Sequence, residues 1–298
     1  MNDENNVYTM TSQTIFPPAR PRANAPEPRG KPLLEALAPE GTTVESLTLE
    51  GAAGTISAAI ARRAAPGPLI LFLGGNNHYM VKHGANNVEK LIRFGDVLMF
   101  DHPGYGDSEG PAHFSNILPA GARMVGHAKE LAAQRGQKTV IWSASFGGYM
   151  AIKGAAEYGP DALILEGLAP SAVDWAHALG ARHGRSKARV ERAMVEGGVP
   201  DPIVSYDGPV LQLAGMGDTV VPIDLSRKLK TWFEERSVDL AYKEVDVASH
   251  DLRVSQETMR VARDFLIARG VMTAEQVLDP LSFRSNAISF QSGSGAVN

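Results

Sequence analysis

The 298-residue chain contains no cysteine. That excludes a disulfide framework, a thiolate metal site and a cysteine nucleophile, and it leaves the redox compartment undecided. Long apolar runs are missing too, since none approaches the roughly 20 residues that a membrane-spanning helix needs. The opening residues, MNDENNVYTM, carry neither the basic nor the apolar stretch of a secretory leader, so a cytoplasmic location is expected. Nor is one sign of charge in excess: 29 Lys and Arg stand against 33 Asp and Glu, a net charge of -4. Such a balance gives no electrostatic footprint for nucleic acid or an anionic membrane. Among the 8 histidines, His78 and His83 lie close together without an H-E-x-x-H or H-x-H-x-D pattern. Neither a metal nor another cofactor is therefore expected.

What the chain does have is material for a full core. With 44% hydrophobic and 21% charged residues it can bury one large α/β domain. Residues 1–32 hold Pro17, Pro18, Pro21, Pro26, Pro28 and Pro32 without periodic apolar positions, and read as an irregular arm. From Thr43 the pattern alternates through Val44, Leu47 and Leu49, a glycine-rich turn at 51–54, then Ile56, Ala58 and Ile60, which predicts two short strands. Apolar runs at 68–73, 96–100, 139–142, 162–165 and 209–213 then alternate with helical patterns at 88–94, 116–134, 147–158 and 225–235. This rhythm predicts a mainly parallel central sheet with helices on both faces. Residues 170–207 interrupt it with a helical insertion that reads as a lid between core segments 33–169 and 208–275. A tail rich in Ser, Asn and Gly occupies 276–298, and arm and tail together leave a homo-oligomer open. Glycines at 104, 106 and 110 miss the G-x-G-x-x-G spacing by one residue, which sets a dinucleotide fingerprint aside.

Residues 138–149, KTVIWSASFGGY, carry the strongest signal. A β-branched and aromatic run stops at a serine and passes straight into a helical pattern, so the corner residue must stand clear of the sheet on strained backbone. The motif is Ser143-Ala144-Ser145-Phe146-Gly147, a G-x-S-x-G with serine in the first position. Ser143 is a rival nucleophile, but Ser145 has Gly147 two residues on and the helix directly after it. A serine hydroxyl needs a base within reach and an acid to orient that base. Asp218 follows one later strand and His250 the last, so both arrive at the sheet edge that carries Ser145. Glu166, at the end of another strand, is a spare candidate for the acid. The basic run at 182–192 reads as a solvated helix face rather than an anion site.

On the chain order Ser145, Asp218, His250, the D-x-x-G-Y-G-x-S-x-G run at 101–110 and the G-x-G-D-x-x-V-P turn at 215–222, the sequence resembles the α/β-hydrolase superfamily. Its short lid is similar to those of the serine aminopeptidase-like and lipase-like branches. The resemblance implies an oxyanion hole made by the amides of Phe146 and Asn76, with Gly74-Gly75 where the family usually has His-Gly. Gly75, Tyr79, His102, Trp175, His177 and Met194 are candidates for the substrate pocket. The expected activity is cleavage of a carboxylic ester of a small-molecule acyl substrate through an acyl-enzyme on Ser145. The same triad serves peptidases and amidases, thioesterases, lactonases and acyltransferases. A non-catalytic small-molecule-binding protein on the same scaffold is the competing class.

Overall fold

The computed structural model describes residues 6–17, 41–76 and 78–278. The expectations for prolines 18–32 and for the tail from 279 concern residues outside these. Strand β1 (Val7–Met10) and the short helix α1 (Ser12–Ile15) come first, apart from the main sheet. The chain then runs through β2 (Thr42–Gly51), β3 (Gly54–Arg63), β4 (Leu69–Leu73), α2 (Met80–Leu91), β5 (Asp96–Phe100), α3 (Phe114–Ala133), β6 (Thr139–Ala144), α4 (Gly147–Tyr158) and β7 (Ala162–Glu166). Between β7 and the rest lie α5 (Ala172–Arg182), β8 (Lys187–Val190) and α6 (Arg192–Gly197). The series ends with β9 (Val210–Gly215), α7 (Ile223–Glu234), β10 (Leu240–Val245) and α8 (Gln256–Ala268).

Strands β4, β5, β7 and β9 are buried from end to end, as residues covered on both faces must be. Their side chains alternate between two cores. Leu69, Leu71, Leu73, Ile141 and Leu165 pack with α3, α4 and α7 on one face. Ile70, Phe72, Val140, Trp142 and Leu213 pack with α2 and α8 on the other. The eight strands of the main sheet lie in the order β10-β9-β7-β6-β4-β5-β3-β2. All neighbours are parallel except β3, which runs antiparallel to β2 and β5.

The order reverses at β4. From β4 the chain steps outward to β5, then crosses back to lay β6 on β4's other side. Loops leaving the carboxyl ends of β4 and β6 therefore diverge to opposite faces and open a crevice between them. Into that crevice point the loop at 74–79 and the corner at Ser145.

Two expectations change. Residues 7–16 of the arm are ordered: β1 pairs in parallel with β8, register Val7 to Lys187 through Met10 to Val190. The insertion at 170–207 is accordingly not all helical, because its basic run contributes a strand that finds its partner in the arm.

Candidate active site

Ser145 sits where β6 turns into α4, at φ 55, a left-handed conformation that costs a non-glycine residue about 1–3 kcal/mol. Its amide donates to the Glu166 carbonyl at 2.8 Å and its carbonyl accepts from Gly148 at 2.9 Å, so both flanks hold the strain in place. Gly147 could be nothing larger, since a Cβ there would lie 2.1 Å from the Leu73 carbonyl oxygen. Ser143 is fully buried and donates its hydroxyl to the Ile164 carbonyl at 3.1 Å. Of the two serines, only Ser145 occupies the corner.

Asp218 stands in the turn after β9. One carboxylate oxygen, Oδ1, accepts the amides of Val220 at 2.7 Å and Val221 at 3.1 Å. The other, Oδ2, lies 2.7 Å from His250 Nδ1. This leaves Nε2 on the far side of the ring, buried and without a hydrogen-bond partner among the described residues. Gly167, at φ 54, lets the pair lie against the end of β7: a Cβ there would be 3.0 Å from His250 Cε1 and 3.4 Å from Asp218 Oδ2.

The loop after β4 passes just in front of the corner. A Cβ on Gly75 would come within 2.9 Å of Ser145 Cβ and 3.4 Å of the Phe146 amide nitrogen, the space a reacting oxygen would need. Asn76 is exposed beside it. The loop is supported from beneath: His102 Nε2 donates to the Gly74 carbonyl at 3.2 Å, and Asp101 Oδ1 accepts the first amide of α2, Met80, at 2.6 Å. Asp101 also explains the glycine-rich run that follows it, because a Cβ on Gly106 would fall 2.0 Å from its Oδ2. Burial pushes Asp101 up to about 6 against the pull of the Met80 and Asp107 amides. It drives His102 down to about 4 and holds His78 well below its ordinary value, so both rings are neutral at pH 7.

A small cavity touches Ser145, lined by Phe146, Tyr149, Leu168, Trp175 and Val221. Of the six pocket candidates, Trp175 lines it and Gly75 abuts Ser145. His177 is exposed on α5, and Met194 is buried in the core between α6 and its neighbours. His102 lies beneath the loop, and Tyr79 meets His83 edge-on and Tyr105 at a tilt. Long-range packing decides these four, and residue type alone did not predict it.

Glu166 belongs to a different assembly from the one its strand-end position suggested. It accepts the Trp142 indole at 2.6 Å and faces Arg253 Nε at 3.2 Å. Arg253 also bonds Asn87 Oδ1 at 2.6 Å, packs 4.2 Å over the Phe72 ring and pairs with Asp251. Asn87 in turn reaches His78 Nε2 at 2.7 Å. A buried polar chain thus ties the His250 loop to the loop after β4. Burial lifts Glu166 to about 7, with Arg253 and Trp142 pulling it back. Nothing local in the sequence marks Arg253 or Asn87.

Phe16 was missed as well. It is completely buried, edge-on to Phe146 at 5.4 Å and stacked on Phe114. Glu191 holds the segment: its carboxylate accepts the Ser12 amide and hydroxyl and pairs with His113 at 2.9 Å. The Ile15-Phe16 pair in an otherwise polar arm was the one available signal.

No protein-family model matches the sequence, and no curated protein matches it by sequence. Solved structures do match. An esterase from Pyrococcus furiosus superposes with TM-score 0.59 at 14% identity, over 85% of this chain and 98% of that one. An α/β hydrolase from Vibrio vulnificus gives 0.57 at 18%, over 76% and 81%. An acylaminoacyl peptidase from Pyrococcus horikoshii gives 0.55 at 11%, over 76% of this chain and 41% of that one. The chain has the α/β-hydrolase fold. In this α/β-hydrolase fold the corner after β6, the turn after β9 and the loop after β10 converge on one sheet edge, which is where Ser145, Asp218 and His250 stand. No helix among the described residues is long and apolar enough to cross a membrane. Nor do these residues contain a group of three or more His, Asp and Glu placed to hold a metal ion.

Proposed function

We propose that the protein is a serine hydrolase that cleaves a carboxylic ester of a small molecule. The observation that carries this reading is the strained Ser145 corner at the same sheet edge as a His250–Asp218 pair whose Nε2 is left unpartnered. Ser237, at φ 56, closes a helix in an ordinary turn, so what marks Ser145 is that its strain falls at a strand-to-helix corner on the sheet edge that carries the His250–Asp218 pair.

Ser145 Oγ attacks the acyl carbon while His250 Nε2 takes its proton, and Asp218 holds the ring through Nδ1–H and stabilises the imidazolium. The oxygen of the tetrahedral intermediate is received by the amides of Phe146 and Asn76, across the space that Gly75 leaves clear. As the intermediate collapses, the C–O bond to the alcohol breaks and His250 returns the proton to the departing oxygen. Water then attacks the acyl-enzyme along the same route, giving the free acid and restoring Ser145. Ester is preferred to amide because the esterase from Pyrococcus furiosus is matched over 98% of its chain, whereas the acylaminoacyl peptidase is matched over 41%.

The test is labelling with a fluorophosphonate probe beside Ser145→Ala. Wild type is expected to be labelled on Ser145 and the variant not at all. Equal labelling of both would overturn the assignment.

A further inference from the structure

The loop that carries His250 has little backbone support. Among the described residues the amides of Ala248, Ser249 and His250 donate to no main-chain carbonyl, and the Asp251 amide turns back on the Ser249 hydroxyl at 3.1 Å. Side chains hold the loop instead. Asp218 takes the imidazole itself. The next residue, Asp251, is held from two sides, by Lys90 Nζ on α2 at 2.9 Å and by Arg253 Nε at 3.1 Å.

Arg253 is the centre of this support. It follows His250 by three residues, is 8% exposed and lies 4.2 Å over the Phe72 ring, which fixes the plane of its guanidinium. Besides Asp251 it reaches two further elements. Toward β7 it pairs with Glu166 at 3.2 Å, and the main-chain carbonyl of that same Glu166 accepts the Ser145 amide at 2.8 Å. Toward α2 it donates to Asn87 Oδ1 at 2.6 Å, and Asn87 lies 2.7 Å from His78 Nε2. His78 packs under the loop after β4, where a Cβ on Gly74 would fall 2.1 Å from its ring. One guanidinium thus meets the supports of the serine corner, of the histidine loop and of the loop at 74–76.

Stability does not account for a charge pair in this place. A buried pair loses in desolvation about what it gains in attraction. At Glu166 burial outweighs both Arg253 and Trp142 and lifts the carboxyl to about 7. What the planar fork of N–H donors supplies is direction. We infer that Arg253, backed by Glu166, is a positioning residue of the reaction: it sets His250 against Ser145 and the loop at 74–76, and acts through them rather than on the substrate. This deepens the serine-hydrolase reading and rests on it.

The test measures kcat and KM of full-length protein with p-nitrophenyl acetate, beside urea unfolding of each variant. Arg253→Met should lower kcat about 100-fold, the effect of a displacement near 1 Å. Formation and hydrolysis of the acyl-enzyme both use His250 and slow together, so KM should stay within about threefold. Arg253→Lys keeps a cation beside Glu166 but cannot hold Asn87 and Asp251 with one fork, so its kcat should fall between the two. It also covers a methionine variant that fails to fold. The deciding variant joins Arg253→Met to Glu166→Gln. It regains part of the stability, yet the bonds to Asn87 and Asp251 stay lost, so kcat should remain low. A merely structural role predicts instead that kcat recovers with stability. That recovery would overturn this inference alone, provided that a fluorophosphonate still labels Ser145 in wild type. So would a kcat within about threefold of wild type in both single variants. No labelling and no turnover of any ester would overturn the hydrolase reading, and this inference with it.

Discussion

Ser145 lies between two buried regions built on opposite plans. Behind it, on the α2 and α8 face, Trp142 with Glu166 and Arg253 with Asn87 and His78 are joined by hydrogen bonds of 2.6 to 2.7 Å, and an ion pair at 3.2 Å between Glu166 and Arg253 links the two sets. In front, on the α3 and α4 face, Phe16, Phe114, Phe146, Tyr149 and Trp175 meet ring against ring at 5.1 to 6.0 Å. Polar bonds have narrow geometric optima, so the first region fixes where the loops after β4 and β10 stand relative to each other. Ring packing has no single optimum but fills volume, so the second fixes how much space is left. Orientation and size are therefore set by separate sets of residues, and each can be disturbed without the other.

The largest effect should come from the polar side where it meets the chemistry. Asp218→Asn keeps the shape of the turn but cannot accept Nδ1–H from His250 as the carboxylate does, so kcat should drop about 10⁴-fold. Steady-state kinetics with p-nitrophenyl acetate would read it. A loss of less than tenfold would mean that Asp218 does not orient the ring. Further back, Arg253→Met removes the cation that opposes burial at Glu166, so this carboxyl, already lifted to about 7, rises further and is protonated, and Asn87 Oδ1 loses its donor; the variant should cost about 1–3 kcal/mol in urea unfolding. Adding Glu166→Gln removes the need to take up that proton, and the double variant should recover part of that loss. If single and double variants agree within about 0.5 kcal/mol, the two side chains are not coupled.

The two regions were also unequally legible. Ser145 and Asp218 could be picked out because each follows a largely apolar, buried strand that announces itself locally, whereas His250 follows the mixed strand β10, LAYKEV, and was picked out by its order in the chain. The sheet's parallel core was readable for the same reason. Helix α2 begins at Met80, well before the apolar stretch at 88–94 that suggested it, because its first turn is stabilised by Asp101 from the next strand's end. Strand β8 reads as a basic helical face until Val7–Met10 is laid beside it, and no window of sequence contains both. Arg253, Asn87 and Phe16 act only through partners far along the chain. Periodicity cannot reveal such pairs, whereas the corner, a local turn under strain, can be seen in a dozen residues.

The smallest expected effect isolates the support under the loop after β4. Burial holds His102 near 4, against an ordinary 6.5, even though its bonds to the Gly74 and Gly75 carbonyls favour the charged ring. The folded protein therefore binds this proton more weakly than the unfolded chain does. The sign follows from that: the contribution is fully present above pH 6.5 and is lost progressively as pH falls through 4. At one pKa unit per 1.36 kcal/mol the gap amounts to roughly 3 kcal/mol. His102→Gln retains an N–H for the Gly74 carbonyl and cannot titrate. In urea unfolding at pH 7.5 and pH 4, wild type should lose more stability than the variant by about that amount. His78 is lowered first by burial and also by the His102 charge, so the variant relieves His78 too and the difference reads the two rings together. Equal losses would show that the His102 ring is hydrated in solution, and that the loop carrying Gly75 and Asn76 is held up by Asp101 instead.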